Sequence, residues 1–297
     1  MRSGKISVAA AALTAALSSP AFAAGGGWQA RVAETFGKPG TEMPGGVYRI
    51  GLPRTDLHAT LDGVALKPAF ALGGWLAFEK MGGGGMVMGD LVLRQREVNP
   101  VMQRVLESGI EVTALHNHLL RNRPFTMYMH VFGRGDPVKL ATALRSALAL
   151  SRTPLSPLSG SSQPEASSLD TAAIDQIVGV KGKQVGGVYQ LGIPRARPVR
   201  EAGMVVPPAM GVANAINFEA AGDGKAAITG DFVLVAREVS PAAKALREHG
   251  IEVTAIHNHM LAERPRLFFL HFWGHDDARK LAQGLKAALD EVDVKKG

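Results

Sequence analysis

Six of the nine histidines in this 297-residue chain stand in two copies of one pattern: His116-x-His118 followed by His130, and His257-x-His259 followed by His271. Imidazole is the commonest protein ligand for transition metals and titrates nearest neutral pH. Side chains alternate along a strand, so His116 and His118 are expected to share a face, as are His257 and His259. A hairpin turning near residues 121–124 would bring His130 almost opposite His116, and Cβ atoms in such cross-strand pairs lie about 4.5–5.5 Å apart. Three converging imidazoles form a donor set for zinc, copper, nickel or iron, with a fourth position open to water or substrate. One such site is expected in each copy. Two other readings stand beside it. The histidines could form a packed, hydrogen-bonded layer, since Val112, Ala114 and Leu120 fall on the same predicted face, or they could serve metal-free acid–base catalysis.

Carboxylates near these motifs are candidates for a supporting shell. Asp90 and Asp231 lie in or beside strand-like runs, and Glu97 and Glu238 precede a predicted helix. Each could orient a ligating imidazole through its second nitrogen. Each could equally be a buried salt bridge or turn residue, with Arg96 or Arg237 as partners for the aspartates. Glu111 and Glu252 should point away from the histidines into solvent. Met86, Met88, Met127 and Met129 suggest copper(I), but Met127 and Met129 become Phe268 and Leu270 in the second copy, as core fillers do. Gly82-Gly83-Gly84-Gly85 lacks the Lys-Ser/Thr of a phosphate loop and reads as a hairpin turn.

The elements that must hold these residues are themselves written twice. Gly46-Val47-Tyr48 matches Gly187-Val188-Tyr189, Pro53-Arg54 matches Pro194-Arg195, and Gly89-Asp90 matches Gly230-Asp231. Arg123-Pro124 returns as Arg264-Pro265, and Gly109-Ile110-Glu111-Val112-Thr113-Ala114 as Gly250-Ile251-Glu252-Val253-Thr254-Ala255. A period of about 140 residues is a duplicated domain, far longer than a solenoid repeat. The first unit is placed at residues 25–150 and the second at 169–297. Residues 151–168, with seven serines and three prolines, read as a linker.

Within each unit a short helix comes first, at 28–36 and 170–178, stopping at Gly37 and Gly179. Strand-like runs follow near 48–53, 57–66, 75–78 and 86–93 in the first copy. Asn99-Pro100 and Ser240-Pro241 signal the start of a second helix, which Gly109 and Gly250 end. Two strands, about 110–120 and 125–132, precede a last helix beginning at Asp136-Pro137 or Asp276-Asp277. The expected fold is α+β: a mostly antiparallel sheet per unit with helices packed on one face, the two units forming an intrachain pseudo-dimer.

At the N-terminus, Arg2 and Lys5, an apolar run over 6–17 and Ala21-Phe22-Ala23 make a secretory signal over residues 1–24. The expectation is a periplasmic or secreted mature chain. No cysteine is present, which excludes disulfides, thiolate metal sites, thiol catalysis and a lipid-attachment site, and so a lipid membrane anchor. The net charge of +7 is moderate and scattered, compatible with an anionic envelope surface but identifying no partner. Nucleic acid is not an expected partner of an exported protein; a small molecule or an envelope component is.

The runs Met88-Gly89-Asp90-Leu91-Val92-Leu93, Ala114-Leu115-His116-Asn117-His118 and Met129-His130 resemble the domain of unknown function 1259 family. So do their counterparts Ile228-Thr229-Gly230-Asp231-Phe232-Val233-Leu234, Ala255-Ile256-His257-Asn258-His259 and Leu270-His271-Phe272-Trp273. That bacterial family is also called LppY/LpqO-like, after exported mycobacterial lipoproteins. The resemblance spans nearly the whole mature chain and implies export and a double-domain arrangement; it supplies no activity, cofactor or catalytic residue. The functional expectation is therefore divalent transition-metal binding at the His-x-His…His clusters, with or without hydrolytic chemistry. The alternative is a non-catalytic cell-envelope binding or interaction module whose histidines are structural.

Overall fold

The computed structural model describes residues 27–155 and 168–295. The signal segment and most of the predicted linker lie outside the described residues. The first repeat runs α1 (Trp28–Phe36), β1 (Thr41–Met43), β2 (Val47–Pro53), β3 (Thr60–Leu61), β4 (Val64–Ala65), α2 (Pro68–Ala71), β5 (Gly73–Met81), β6 (Gly84–Arg94), α3 (Gln95–Glu107), β7 (Glu111–His116), β8 (Thr126–Arg134) and α4 (Pro137–Leu148). The second runs α5 (Thr171–Val178), β9 (Lys183–Val185), β10 (Val188–Pro194), β11 (Val199–Glu201), β12 (Met204–Val206), β13 (Ala213–Ala220), β14 (Lys225–Leu234), α6 (Ala236–Glu248), β15 (Glu252–His257), β16 (Phe268–Asp277) and α7 (Ala278–Leu289). A single 3-10 turn, Pro208–Met210, stands where α2 stands in the first repeat.

Each repeat is built on a six-stranded sheet with antiparallel pairing throughout, ordered β1-β2-β5-β6-β8-β7 and, equivalently, β9-β10-β13-β14-β16-β15. The three longer helices of a repeat cover one face. In the first, Val32 and Phe36 of α1, Val101 and Val105 of α3, and Leu140 and Leu144 of α4 bury against Ile50, Leu76, Val87 and Met129. Residues of this size are worth about 1.5–3 kcal/mol each when removed from water, so this layer is the main stabiliser of each unit. Local signals set the helix ends: Asp136 accepts from the amides of Val138 and Lys139, Asp277 accepts from Lys280, and Gly37 and Gly179 turn left-handed at φ 67° and 80°.

The other face of each sheet meets the other repeat. Here an arm from one repeat lies on the sheet of its neighbour. Val199, Val206, Met210 and Val212 of the second repeat pack with Val47, Ala77, Met86 and Phe132 of the first. In return, the first arm, with Leu61, Leu66 and Phe70, packs with Val188, Ala227 and Trp273. Polar ties repeat the exchange: Thr113 Oγ1 donates to the carbonyl of His259 at 2.6 Å, and Thr254 Oγ1 to the carbonyl of His118 at 2.5 Å. The units therefore form a pseudo-dimer with reciprocal contacts.

Four expectations need correction. The run at 57–66 is not a continuous strand; only Thr60–Leu61 and Val64–Ala65 pair, because this segment is the arm that leaves the sheet. The second helix starts at Gln95 and Ala236, with Pro100 and Pro241 inside it. Tertiary pairing overrides the local proline signal: Glu97 accepts from the Arg94 amide at 2.9 Å and is held by the buried Arg54 at 2.9 Å. Glu238 does the same with Val235 and Arg195. The first residues assigned to the linker belong to the first unit, since Thr153 is buried and the Arg152 amide donates to Glu97. Finally, Val112 packs on the helix side because a bulge at Thr113 reverses the alternation between Val112 and Ala114, and Leu120 is exposed because it lies in the loop beyond the strand end at His116.

Candidate metal centre

The motif strands β7 and β15 end at His116 and His257, so His118 and His259 stand in the loops that follow. Those loops reach as far as the cis peptides Arg123–Pro124 and Arg264–Pro265, and each is tied to its arm by a bridge, Thr60 to Arg123 or Arg200 to Arg264. The tie sets the register two residues from the expected one: His116 lies opposite Tyr128, and His130 opposite Ala114. His130 is also the cross-strand neighbour of Asp90, as His271 is of Asp231.

The six histidines do not form one site per repeat. They meet at the interface in three stacked pairs, each joining the two repeats. His116 faces His257 at a centroid distance of 3.4 Å, His118 faces His271 at 3.8 Å, and His130 faces His259 at 3.6 Å. Aromatic rings flank the stack, Tyr128 against His118 at 3.4 Å and Phe269 against His259 at 3.6 Å. Tyr128 is itself fixed by donating to the carbonyl of Ala71 at 2.6 Å.

All six Nε2 atoms are buried and have no hydrogen-bond partner. Three of the opposite nitrogens are assigned by their surroundings: His116 Nδ1 lies 3.2 Å from the Asn117 carbonyl, His257 Nδ1 3.4 Å from that of Asn258, and His271 Nδ1 3.1 Å from that of Gly230. A carbonyl only accepts, so Nδ1 carries the proton and Nε2 keeps its lone pair, the form that ligates metal. Ligand atoms of His116, His118, His130 and His259 all lie within 4.8 Å of one another, and so do those of His116, His257 and His271. His116 belongs to both groups.

Electrostatics favour neutral imidazoles. Burial, then the neighbouring His257, lowers His116 from 6.5 to about 3; burial lowers His257 to about 4. His118, His130, His259 and His271 are held well below the usual histidine range by burial and by one another. The aspartates move the other way. Burial and the nearby Asp231 raise Asp90 to about 8 against the pull of Arg49, and burial raises Asp231 to about 7. Asp90 oxygens lie 3.8 Å from the Nε2 atoms of His118 and His130, beyond hydrogen-bond reach.

Glu97 and Glu238, expected as supports for the histidines, are occupied elsewhere in the ion pairs with Arg54 and Arg195. A carboxylate buried beside a guanidinium has its lone pairs committed. Met86 and Met88 are core residues in the interface layer, and Met129 is one in the helix-side layer. Gly230 sits where a Cβ would lie 1.9 Å from the Ala215 carbonyl oxygen, so the motif glycine lets β13 approach β14 beside Asp231. The sequence reading missed Arg49 and Trp75, which share a cavity of about 610 Å³ with His118, His130, His259 and His271. The one signal for them was negative: they break the repeat.

The fold and the cluster together define a duplicated α+β protein with an imidazole centre shared between its halves. A family model described as Domain of Unknown Function (DUF1259) matches residues 30–150 and again 172–291, and the chain belongs to that family. No curated protein sequence matches it. Among solved structures, the crystal structure of a trimeric bacterial microcompartment shell protein, PduB, is similar at 13% identity, covering 86% of this chain and 95% of that one, with a TM-score of 0.21. EtuB from Clostridium kluyveri is similar at 11%, covering 85% and 89%, with a TM-score of 0.20. No helix of the described residues is long and apolar enough to cross a membrane.

Proposed function

We propose that the six histidines bind a divalent transition metal, zinc, copper, nickel or iron, at one centre shared by the two repeats. The observation behind this reading is the set of six buried Nε2 atoms without partners. Leaving a buried polar atom unpaired costs about 1–3 kcal/mol, and a purely structural histidine layer would pair them. A cation satisfies several at once. Asp90 and Asp231 support it from one strand away, where a cation would draw both acids to the ionised form. The cavity gives a ligand access to the same imidazoles, so a coordination position left to water would support hydrolytic chemistry there. The signal-like N-terminal sequence, with Arg2, Lys5, the apolar run over 6–17 and Ala21-Phe22-Ala23, supports a periplasmic setting for this centre.

Elemental analysis of the mature protein, purified without a histidine tag or chelator, tests the reading. One or two equivalents of a transition metal are expected. The triple variant His116→Ala/His118→Ala/His130→Ala, still folded, should lose all of it, because each candidate group includes His116. Protein that is metal-free and takes up none of the four added metals would exclude the centre.

A further inference from the structure

The cavity over the histidines is asymmetric although the fold around it is duplicated. Arg49 on β2 and Gln190 on β10 hold equivalent positions, and each reaches the other repeat's arm. Gln190 Nε2 donates to the Ala69 carbonyl at 2.9 Å, and Arg49 Nη1 to the Ala209 carbonyl at a longer 3.4 Å. One bond goes far towards meeting the needs of an amide. A guanidinium has five N–H donors, and among the described residues no carboxylate lies within ion-pair distance of this one. It lies over the face of Trp75, 4.3 Å from the guanidinium carbon, where the second repeat has Ala215, and it feels the charge of Asp90 without pairing with it. The ring fixes the plane of the cation but accepts no conventional hydrogen bond. Burial lowers Arg49 to about 10, which leaves it charged at neutral pH.

The same half of the cavity shows which anion fits. Trp75, Asp90 and His130 form one cross-strand row. Two strand spacings of about 4.8 Å separate Trp75 from His130, so a ligand held at Arg49 must extend about 10 Å to reach the histidines. Pro208 and Ala209, on the second repeat's arm beside Arg49, add apolar surface to this half. Arg49 is the one inner cation of this cavity, Lys183 being exposed at its rim, and two aspartates share the space. A multiply charged phosphate would meet too little positive charge there. We propose that the Arg49–Trp75 face binds an organic monocarboxylate of about 10 Å length, its acid forked on Arg49 and its body laid over Trp75 towards His130. The carboxylate site does not require the metal; it gives the proposed centre a substrate class.

Isothermal titration calorimetry with octanoate and 2-naphthoate, on protein as purified and after dialysis against chelator, tests this. Saturable 1:1 binding of at least one acid is expected, with no binding of the matching amide and none of inorganic phosphate. Arg49→Gln, which installs the residue of the second repeat, should weaken binding at least about tenfold, and Arg49→Lys less. Trp75→Ala gives a second weakened variant should Arg49→Gln melt early. Failure of both acids, equal binding by Arg49→Gln, or equal binding of the amide or phosphate would overturn the proposal. Metal content measured on the same samples separates the two readings: carboxylate binding by protein that takes up no metal would sink the centre alone, and metal-loaded protein without carboxylate binding would sink the carboxylate site alone.

Discussion

His116 of the first repeat and His257 of the second lie face to face, centroids 3.4 Å apart and planes 23° from parallel. They occupy the same position in the two copies, so the pseudo-two-fold axis passes between them. Two protonated rings could not share this arrangement, since like charges at that distance repel strongly in a buried setting.

In the proposed centre this pairing makes His116 the most consequential residue, since it belongs to both candidate groups. His116→Ala should lower metal affinity by more than about 100-fold, while His118→Ala leaves the His116, His257 and His271 group intact and costs less. Competition against a chromogenic chelator measures both. Metal affinity unchanged in His116→Ala, with an unchanged melting temperature, would leave no role for this residue.

The metal-free protein should be most stable near pH 6.5–7. His116 and His257 fall from 6.5 to about 3 and about 4 on folding, so below about 6.5 the unfolded chain binds more protons and stability is lost as pH falls. Asp90 and Asp231 rise from 3.8 to about 8 and about 7, so the folded chain holds protons that it gives up as pH rises through 7–8, losing stability there. Six histidines outweigh two aspartates, and the acid limb should be the steeper. Metal should remove the alkaline loss, since a cation stabilises both carboxylates. Melting temperatures over pH 5–9, with and without metal, check this; an optimum above pH 8 in chelated protein would contradict it.

Glu97→Ala removes one of the two carboxylates on the buried Arg54, leaving Asp56 at 2.7 Å, and should cost about 1.5–3 kcal/mol in urea unfolding. Metal content per folded molecule should stay unchanged, because Glu97 is not beside the imidazoles. A fall in metal content at constant folded fraction would restore Glu97 to the centre.

Thr113→Val removes the hydroxyl that holds the His259 carbonyl and should cost about 1 kcal/mol. It also loosens the loop that positions His259, so metal should dissociate faster. Thr254→Val should act in the same way on His118. Stopped-flow chelation is the measurement, and identical release rates in both variants and the parent would refute the positioning role.

Duplication, α+β architecture and the six histidines were legible in the sequence because each is a short-range pattern written twice. The sharing of the centre was not. Whether two triads close within a repeat or across the interface depends on which sheet face meets which, and residues 57–66 gave only an apolar run where the structure has an arm. The start of α3 was hidden for a related reason: its anchor, Arg54, lies far from Glu97 in sequence, and nothing local announces a buried ion pair. Arg49 and Trp75 carry no repeated signal, because the two copies differ at these positions.

The exchanged arms also bear on the protein's history. With Leu61, Leu66 and Phe70 packed in part on a neighbour's sheet, a lone unit exposes apolar surface there. Any single-unit ancestor had to associate with an identical copy, and in that homodimer every substitution appeared twice. Within one polypeptide that constraint is absent, and the two sides differ: Arg49 and Trp75 in the first repeat stand where the second has a neutral amide and a methyl group at Gln190 and Ala215. A duplicated fold thereby encloses a cavity whose two halves differ in charge.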